Sequence, residues 1–206
     1  ALKNAAIPST DHRYGRVFFL RGRSPIFWKK LTIGREPQVH FRTNMDARKT
    51  RLTRRVGTLV ADKWTITGIA GIGGMAAVYR ATHRNGHEVA IKVLHPELLQ
   101  HENLVERFRR EGYVANKLKH PAVLPIIDDG TLSDGSPFLV MEFLEGVALD
   151  RHVLSGSKKD AKRLPALSQA EGAYVFRTLA EVLVAAEASG LIHRDIKPAN
   201  VFRCRD

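Results

Sequence analysis

His193-Arg194-Asp195-Ile196-Lys197-Pro198-Ala199-Asn200 is the stretch on which the reading of this chain turns. It places an imidazole, two bases, a carboxylate and a carboxamide directly after an apolar segment of helical periodicity. These are the residue types that phosphoryl transfer needs. A carboxylate (Asp195) can orient an attacking hydroxyl, an ammonium (Lys197) can neutralise the phosphoryl group in flight, and an amide oxygen (Asn200) can hold a metal ion. His193 reads as a packed structural imidazole, because the base role in that chemistry falls to the aspartate.

Working upstream, Ile69-Ala70-Gly71-Ile72-Gly73-Gly74-Met75-Ala76-Ala77-Val78-Tyr79 follows the alternating run Trp64-Thr65-Ile66-Thr67, which predicts a strand. Glycines between two strands let backbone N–H groups approach phosphate oxygens with no side chain in the way. Alone, such a run is equally an ordinary tight hairpin. Asn85-Gly86 predicts a two-residue hairpin joining Ala77–His83 to Glu88-Val89-Ala90-Ile91-Lys92-Val93-Leu94. Alternation sets Ala90, Lys92 and Leu94 on one face of that second strand. A lysine there either snorkels to solvent from an edge or meets a buried anion.

An anion is available. Between Glu102 and Leu118 the residues Leu104, Phe108, Ala115 and Leu118 recur at helical spacing, and Glu111 lies on the same stripe. An unpaired carboxylate facing the core costs several kcal/mol, on the order given for buried ions, so Lys92 is its natural partner. The competing arrangement pairs Glu111 with Arg107 or Arg110 at the helix surface. Further on, Ser168-Gln169-Ala170-Glu171 has the form of a capping box. It opens a helix with the stripe Val175, Leu179, Val182 and Ala186, ending near Ser189-Gly190.

In this order, the glycine run, Lys92, Glu111 and the 193–200 run resemble the eukaryotic-type (Hanks-type) serine/threonine protein kinases, over about residues 59–206 and in wording close to bacterial members. The resemblance implies an α+β, bilobal, protein-kinase-like fold. Its small lobe would be five antiparallel strands with one long helix, and its large lobe mainly helical. It implies ATP and Mg2+ as cofactors and protein Ser/Thr hydroxyls as acceptors. Asp195, Lys197 and Asn200 would be catalytic, with Asn200 the metal ligand. The nucleotide site would comprise Ile69, Gly71, Gly73, Gly74, Ala76, Val78, Ala90 and Lys92, with Glu111 positioning the lysine. Met141 would be the gatekeeper before hinge groups on Glu142 and Leu144, and Arg194 would read a phosphorylated activation segment. One departure is Ala76, standing where a third glycine is usual. Rival readings are a nucleotide-binding or scaffolding pseudokinase and a small-molecule kinase of the same fold. The sequence ends before any Asp-Phe-Gly motif, so the stretch is expected to be an incomplete, inactive fragment whose Ser168–Ser189 helix leaves its apolar stripe partly uncovered.

Composition narrows the setting. The net charge of +12 is local: residues 1–56 hold 14 Lys+Arg against 3 Asp+Glu, leaving 19 against 18 in the remainder. The expected division is a basic, poorly ordered leader (1–56) and a partial kinase domain (57–206), split into a small lobe (57–142) and a hinge with the start of the large lobe (143–206). The run Arg48-Lys49-Thr50-Arg51-Leu52-Thr53-Arg54-Arg55 reads as a solvated tail, or as a contact for nucleic acid or an anionic surface. A single cysteine, Cys204, allows no internal disulfide and suits a reducing cytosol. No apolar run is long enough to span a bilayer. The expected location is therefore cytoplasmic, leaving open an anchor in a part of the protein not included here. Ser155-Gly156-Ser157-Lys158-Lys159-Asp160 reads as a surface loop, and His83 with His87 lacks the further ligands a metal site needs.

Overall fold

The computed structural model describes residues 17–19, 28–29, 50–151, 167–193 and 196–204. Arg194, Asp195 and the 155–160 stretch lie outside these residues.

The strands are β1 (Val17–Phe19), β2 (Trp28–Lys29), β3 (Leu59–Val60), β4 (Trp64–Ile72), β5 (Ala76–His83), β6 (Glu88–Leu94), β7 (Ile126–Thr131), β8 (Pro137–Glu142), β9 (Gly146–Ala148), β10 (Ile192–His193) and β11 (Val201–Cys204). The two long helices are α1 (Glu102–Lys117) and α2 (Gln169–Ala188). A six-stranded antiparallel sheet in the order β3-β4-β5-β6-β8-β7 forms the small lobe. The sixth strand, beyond the five expected, is the two-residue β3.

Alternation along β5, β6 and β8 divides that sheet into two buried faces. Ala77, Tyr79, Ala81, Val89, Ile91, Val93, Phe138 and Val140 pack with Trp64, Ile66 and Leu52 on one side. Ala76, Leu94 and Leu139 pack with Leu104 and Phe108 of α1 on the other. Both faces are covered, which is why β6 and β8 read as nearly continuous apolar runs rather than as strict alternation. Helix α1 lies close to the sheet: a Cβ on Gly112 would stand 2.8 Å from Leu139 Cδ2. At the far end of α1, Asn116 answers both backbone groups of Ile126. Its Oδ1 accepts from the Ile126 N–H at 2.8 Å and its Nδ2 donates to the Ile126 carbonyl at 2.9 Å.

Two turns differ from the sequence expectation. The β5–β6 connection is longer than two residues: the Gly86 N–H donates to the His83 carbonyl, and the His83 N–H to that of His87. Gly86 has φ +89° while Asn85 is not left-handed, so the pair does not form the mirror-image turn that Asn-Gly suggests. That geometry occurs instead between β3 and β4. There Ala61 and Asp62 both have positive φ (47° and 54°), and the Lys63 N–H donates to the Val60 carbonyl. Asp62 tolerates this conformation, whereas Ala61 gives no sign of it.

The leader expected to be poorly ordered is in part built into the fold. A helical turn through Thr50–Thr53 buries Leu52 in the Trp64–Tyr79 cluster. Within the basic run, Arg51 bonds Glu97 (2.8 Å) from an exposed position and the largely buried Arg55 bonds Asp134 (2.6 Å), so both arginines are engaged within the chain. Further upstream, β1 pairs antiparallel with β11 and β2 with β10. Removing residues 1–56 would therefore take a core leucine and two strands with it.

Helix α2 begins and ends as its sequence predicts. The Ser168 side chain accepts from the Glu171 N–H, and the Glu171 carboxylate accepts from the Ser168 N–H at 2.7 Å. At the other end Gly190 (φ +65°) donates to Glu187 and Leu191 to Ala186, closing the helix with two crossed bonds. The stripe Val175–Val182–Ala186 is not left uncovered: it is buried against Leu118, Ala122, Val123 and Val201. The apolar residues that α2 does expose, Phe176 and Val184, lie on its outer face.

His120, between α1 and β7, supplies a pH test. Its Nδ1 accepts the Ala122 N–H at 3.1 Å, which requires that nitrogen to be unprotonated. Burial lowers its pKa below the usual 6.5, against an opposing pull from Glu181. With the folded value below the unfolded one, this contribution to stability is intact above pH 6.5 and is lost as pH falls from there through the folded value. Denaturant melts at pH 7.5 and 5.5 should show a loss on acidification that shrinks in His120→Asn.

Candidate functional site

The register of the sheet assembles most of the predicted residues on one face. Gly71 lies opposite Val78, Val78 opposite Lys92, and Lys92 opposite Leu139. Residues directly opposite in an antiparallel pair share a face, so Val78, Lys92 and, two residues back, Ala90 look toward the side covered by α1. Ala90 is in turn opposite Met141, the last residue but one of β8.

Lys92 finds its carboxylate. Lys92 Nζ donates to Glu111 Oε1 at 2.8 Å, with the two side chains 13% and 7% exposed. Nζ also stands 5.6 Å from the centroid of the Phe108 ring, one turn earlier on α1. A helical stripe and a strand alternation have thus delivered two opposite charges to one half-dry place, where their attraction is screened little. The surface alternative for Glu111 is not the one adopted.

Around the glycine run the structure leaves room. A Cβ placed on Gly71 or Gly74 meets no atom within 4 Å. No packing demand explains these glycines, and open backbone is what a phosphate cradle requires. Ala76, at the position where a third glycine is usual, is different: it lies opposite Leu94 and is buried in the α1-side cluster together with Met75.

Ile69 does not share this face. A register shift between Ile69 and Gly71 leaves Ile69 opposite Tyr79, and it packs on the Trp64–Tyr79 cluster, away from Val78, Ala90 and Lys92. A bulge reverses the facing of every residue on one side of it, and nothing in the local sequence marks it.

Beyond β8, Phe143–Glu145 have no regular structure before β9 begins at Gly146. Leu144 and Met141 pack with Leu124, Phe202 and Cys204, so this crossing segment is held to β11. Glu142 is half-buried. Nearby, Arg80 grips Glu88 through two hydrogen bonds of 2.9 and 2.7 Å and lies 4.9 Å from the Phe143 ring centroid. Those hydrogen bonds hold the Glu88 carboxyl below the usual carboxylate range.

Of the 193–200 run, the described residues are His193 and Ile196 to Asn200. His193 ends β10; Pro198–Asn200 form a 3-10 turn in which the Asn200 N–H donates to the Lys197 carbonyl, and β11 follows at once. Asn200 is 2% exposed. A buried amide oxygen is a hard donor suited to Mg2+, an ion that takes few protein ligands and completes its shell with phosphate and water. Among the described residues no group of three His, Cys, Asp or Glu gathers as a metal site, and no helix is long and apolar enough to cross a membrane.

The family model for the protein kinase domain matches residues 64–205. The chain belongs to the protein kinase family. Among kinases it is similar to bacterial serine/threonine enzymes. It is 42% identical over 133 residues to the serine/threonine-protein kinase pkn2 of Myxococcus xanthus, a match covering 64% of this chain and 15% of that protein. It is 36% identical over 148 residues to the probable serine/threonine-protein kinase PknB of Corynebacterium glutamicum, covering 70% and 22%. The chain thus spans about a fifth of the length of these kinases. In structure it is similar to the crystal structure of the Mycobacterium tuberculosis PknI kinase domain, with a TM-score of 0.57, 31% identity, and coverage of 72% of this chain and 58% of that one.

Proposed function

We propose that the protein transfers the γ-phosphoryl group of ATP to serine or threonine hydroxyls of other proteins. The observation that carries this reading is the part-buried Lys92–Glu111 pair beside an open glycine run. A fixed ammonium next to backbone that no side chain covers is a site for a polyphosphate. In this reading Lys92 grips the α- and β-phosphates and Glu111 holds it in place. Gly71, Gly73, Gly74 and the backbone of Ala76 cradle the phosphates, while Val78 and Ala90 wall the adenine. Backbone groups of Glu142 and Leu144 meet the adenine edge. Asp195 orients the acceptor hydroxyl and takes its proton as the new P–O bond forms and ADP leaves. Lys197 offsets charge on the moving phosphoryl group. Asn200 would help hold Mg2+, which would supply positive charge to offset that of the phosphates. Arg194 would couple the site to a phosphorylated segment. The lobes divide at the hinge, 57–142 and 143–206, with residues 50–56 joined to the small lobe.

Transfer of labelled phosphate from ATP to a generic basic protein, by a protein that contains this chain within a whole kinase domain, tests this. The expected result is incorporation into serine and threonine that depends on Mg2+ and is lost in Asp195→Asn. Incorporation that survives Asp195→Asn would exclude the reading. Binding of ATP by a protein that contains the whole kinase domain, with no transfer under any condition, would favour a scaffold.

A further inference from the structure

We infer that His95 is a positioning residue for the phosphate-binding loop, acting on the peptide between Gly73 and Gly74. This rests on the kinase reading of the site. His95 directly follows β6, three residues after Lys92, and is 1% exposed. Its ring nitrogen Nε2 lies 2.9 Å from the Gly73 carbonyl oxygen, and its backbone N–H donates to the Met75 carbonyl at 2.9 Å. A carbonyl oxygen only accepts, so Nε2 carries the proton. One residue thus holds the glycine run at both Gly73 and Met75, while the Gly73 N–H donates across to Ala76.

The consequence follows from peptide geometry. The described chain has no cis peptide bonds, and in a trans peptide the carbonyl and the next N–H point in opposite directions. Tying the Gly73 carbonyl to His95, in the protein interior, turns the Gly74 N–H the other way. Gly74 is exposed, with open space where a Cβ would stand. A glycine run has many backbone orientations available to it, and most of them do not present that N–H outward. The buried imidazole selects one. A donor fixed in advance binds an anion better than one that must first be ordered. His95 itself touches no phosphate; it acts through the loop.

A residue that merely fills the core would affect every ligand of the site alike, so the test compares ATP with adenosine, which has no phosphates. His95→Phe keeps the ring and removes the donor, and His95→Gln keeps a donor near the place of Nε2. The expected result is at least tenfold weaker ATP binding in His95→Phe, less than twofold change for adenosine, and recovery of most of the ATP affinity in His95→Gln. Amide exchange at Gly74 should quicken in His95→Phe without nucleotide present. Equal losses for ATP and adenosine, or ATP affinity within twofold of wild type, would overturn the proposal. Should His95→Phe not fold, the smaller and equally donorless His95→Leu is measured against His95→Gln by the same criteria. A wild-type protein that binds neither ligand overturns the kinase reading, whereas unchanged Gly74 exchange overturns the role of His95 on its own.

Discussion

In a protein that contains the whole kinase domain, Lys92→Met should reduce phosphoryl transfer at least a hundredfold and at the same time destabilise the fold. The first effect follows from the proposed grip of Lys92 on the nucleotide phosphates, since methionine retains the apolar stem and removes only the charge. The second follows from Glu111, whose side chain is 7% exposed and would lose its cation. Removing one partner of a buried pair costs about 3 kcal/mol or more, because a charge is left without compensation. The two effects separate in the double variant Lys92→Met/Glu111→Leu. Stability should return toward wild type, as replacement of a whole buried pair by apolar residues is close to neutral, while transfer should stay absent. Denaturant melts read the first quantity and labelled-phosphate incorporation the second. Transfer at a tenth of wild type in Lys92→Met would remove the lysine from the mechanism. An unchanged melt would show that water reaches Glu111 more freely than its burial implies.

Among the described glycines, Gly146→Ala should be the most damaging replacement by alanine. Gly146 opens β9 directly opposite Cys204 of β11. A Cβ there would run into the Arg203 carbonyl oxygen and stand 2.8 Å from Cys204 Cα. Both obstacles are backbone, so no rotamer change relieves them and the strands must part. The cost should exceed about 3 kcal/mol, the upper range for overpacking. It should also loosen the cluster of Leu124, Leu144 and Cys204 that holds the hinge to β11. Gly172 is the internal control: it lies in the first turns of α2, and a methyl group added there would meet nothing within 4 Å. Gly172→Ala should stabilise the protein by roughly 0.5–1 kcal/mol through helix propensity and a less flexible unfolded chain. Thermal melts of the two variants should therefore move in opposite directions.

How far the sequence was legible depends on how local the cause was. The α2 caps, the α1 stripe and the Lys92 face could be read because each is set within one or two turns, or by simple alternation. The Lys92–Glu111 contact needed one further step, the cost of a carboxylate facing the core, and the pair forms as that cost requires. Ile69 falls on the face opposite to the expected one because a one-residue bulge is invisible in a pattern of apolar letters. His95 carries no signal in the sequence because its partner is a backbone carbonyl, which every residue possesses. The roles of residues 17–19 and 28–29 were illegible for a stronger reason: a strand's register with a distant edge is written in neither segment alone.

That last pairing imposes an order of events during synthesis. Strands β3 to β8 and helix α1 are contiguous in sequence and have their partners once that stretch has left the ribosome. Val17 emerges before all of them, yet its partner Arg203 is separated from it by most of the chain. At ordinary elongation rates the interval is on the order of ten seconds or more. Throughout it the apolar Val17-Phe18-Phe19 segment has no edge to join, and a chaperone or a neighbouring nascent chain can reach it first. The two short sheets around the 193–200 run therefore close after the six-stranded sheet, so a stall in translation before residue 201 would leave a nascent chain with a finished six-stranded sheet and an unpaired β1.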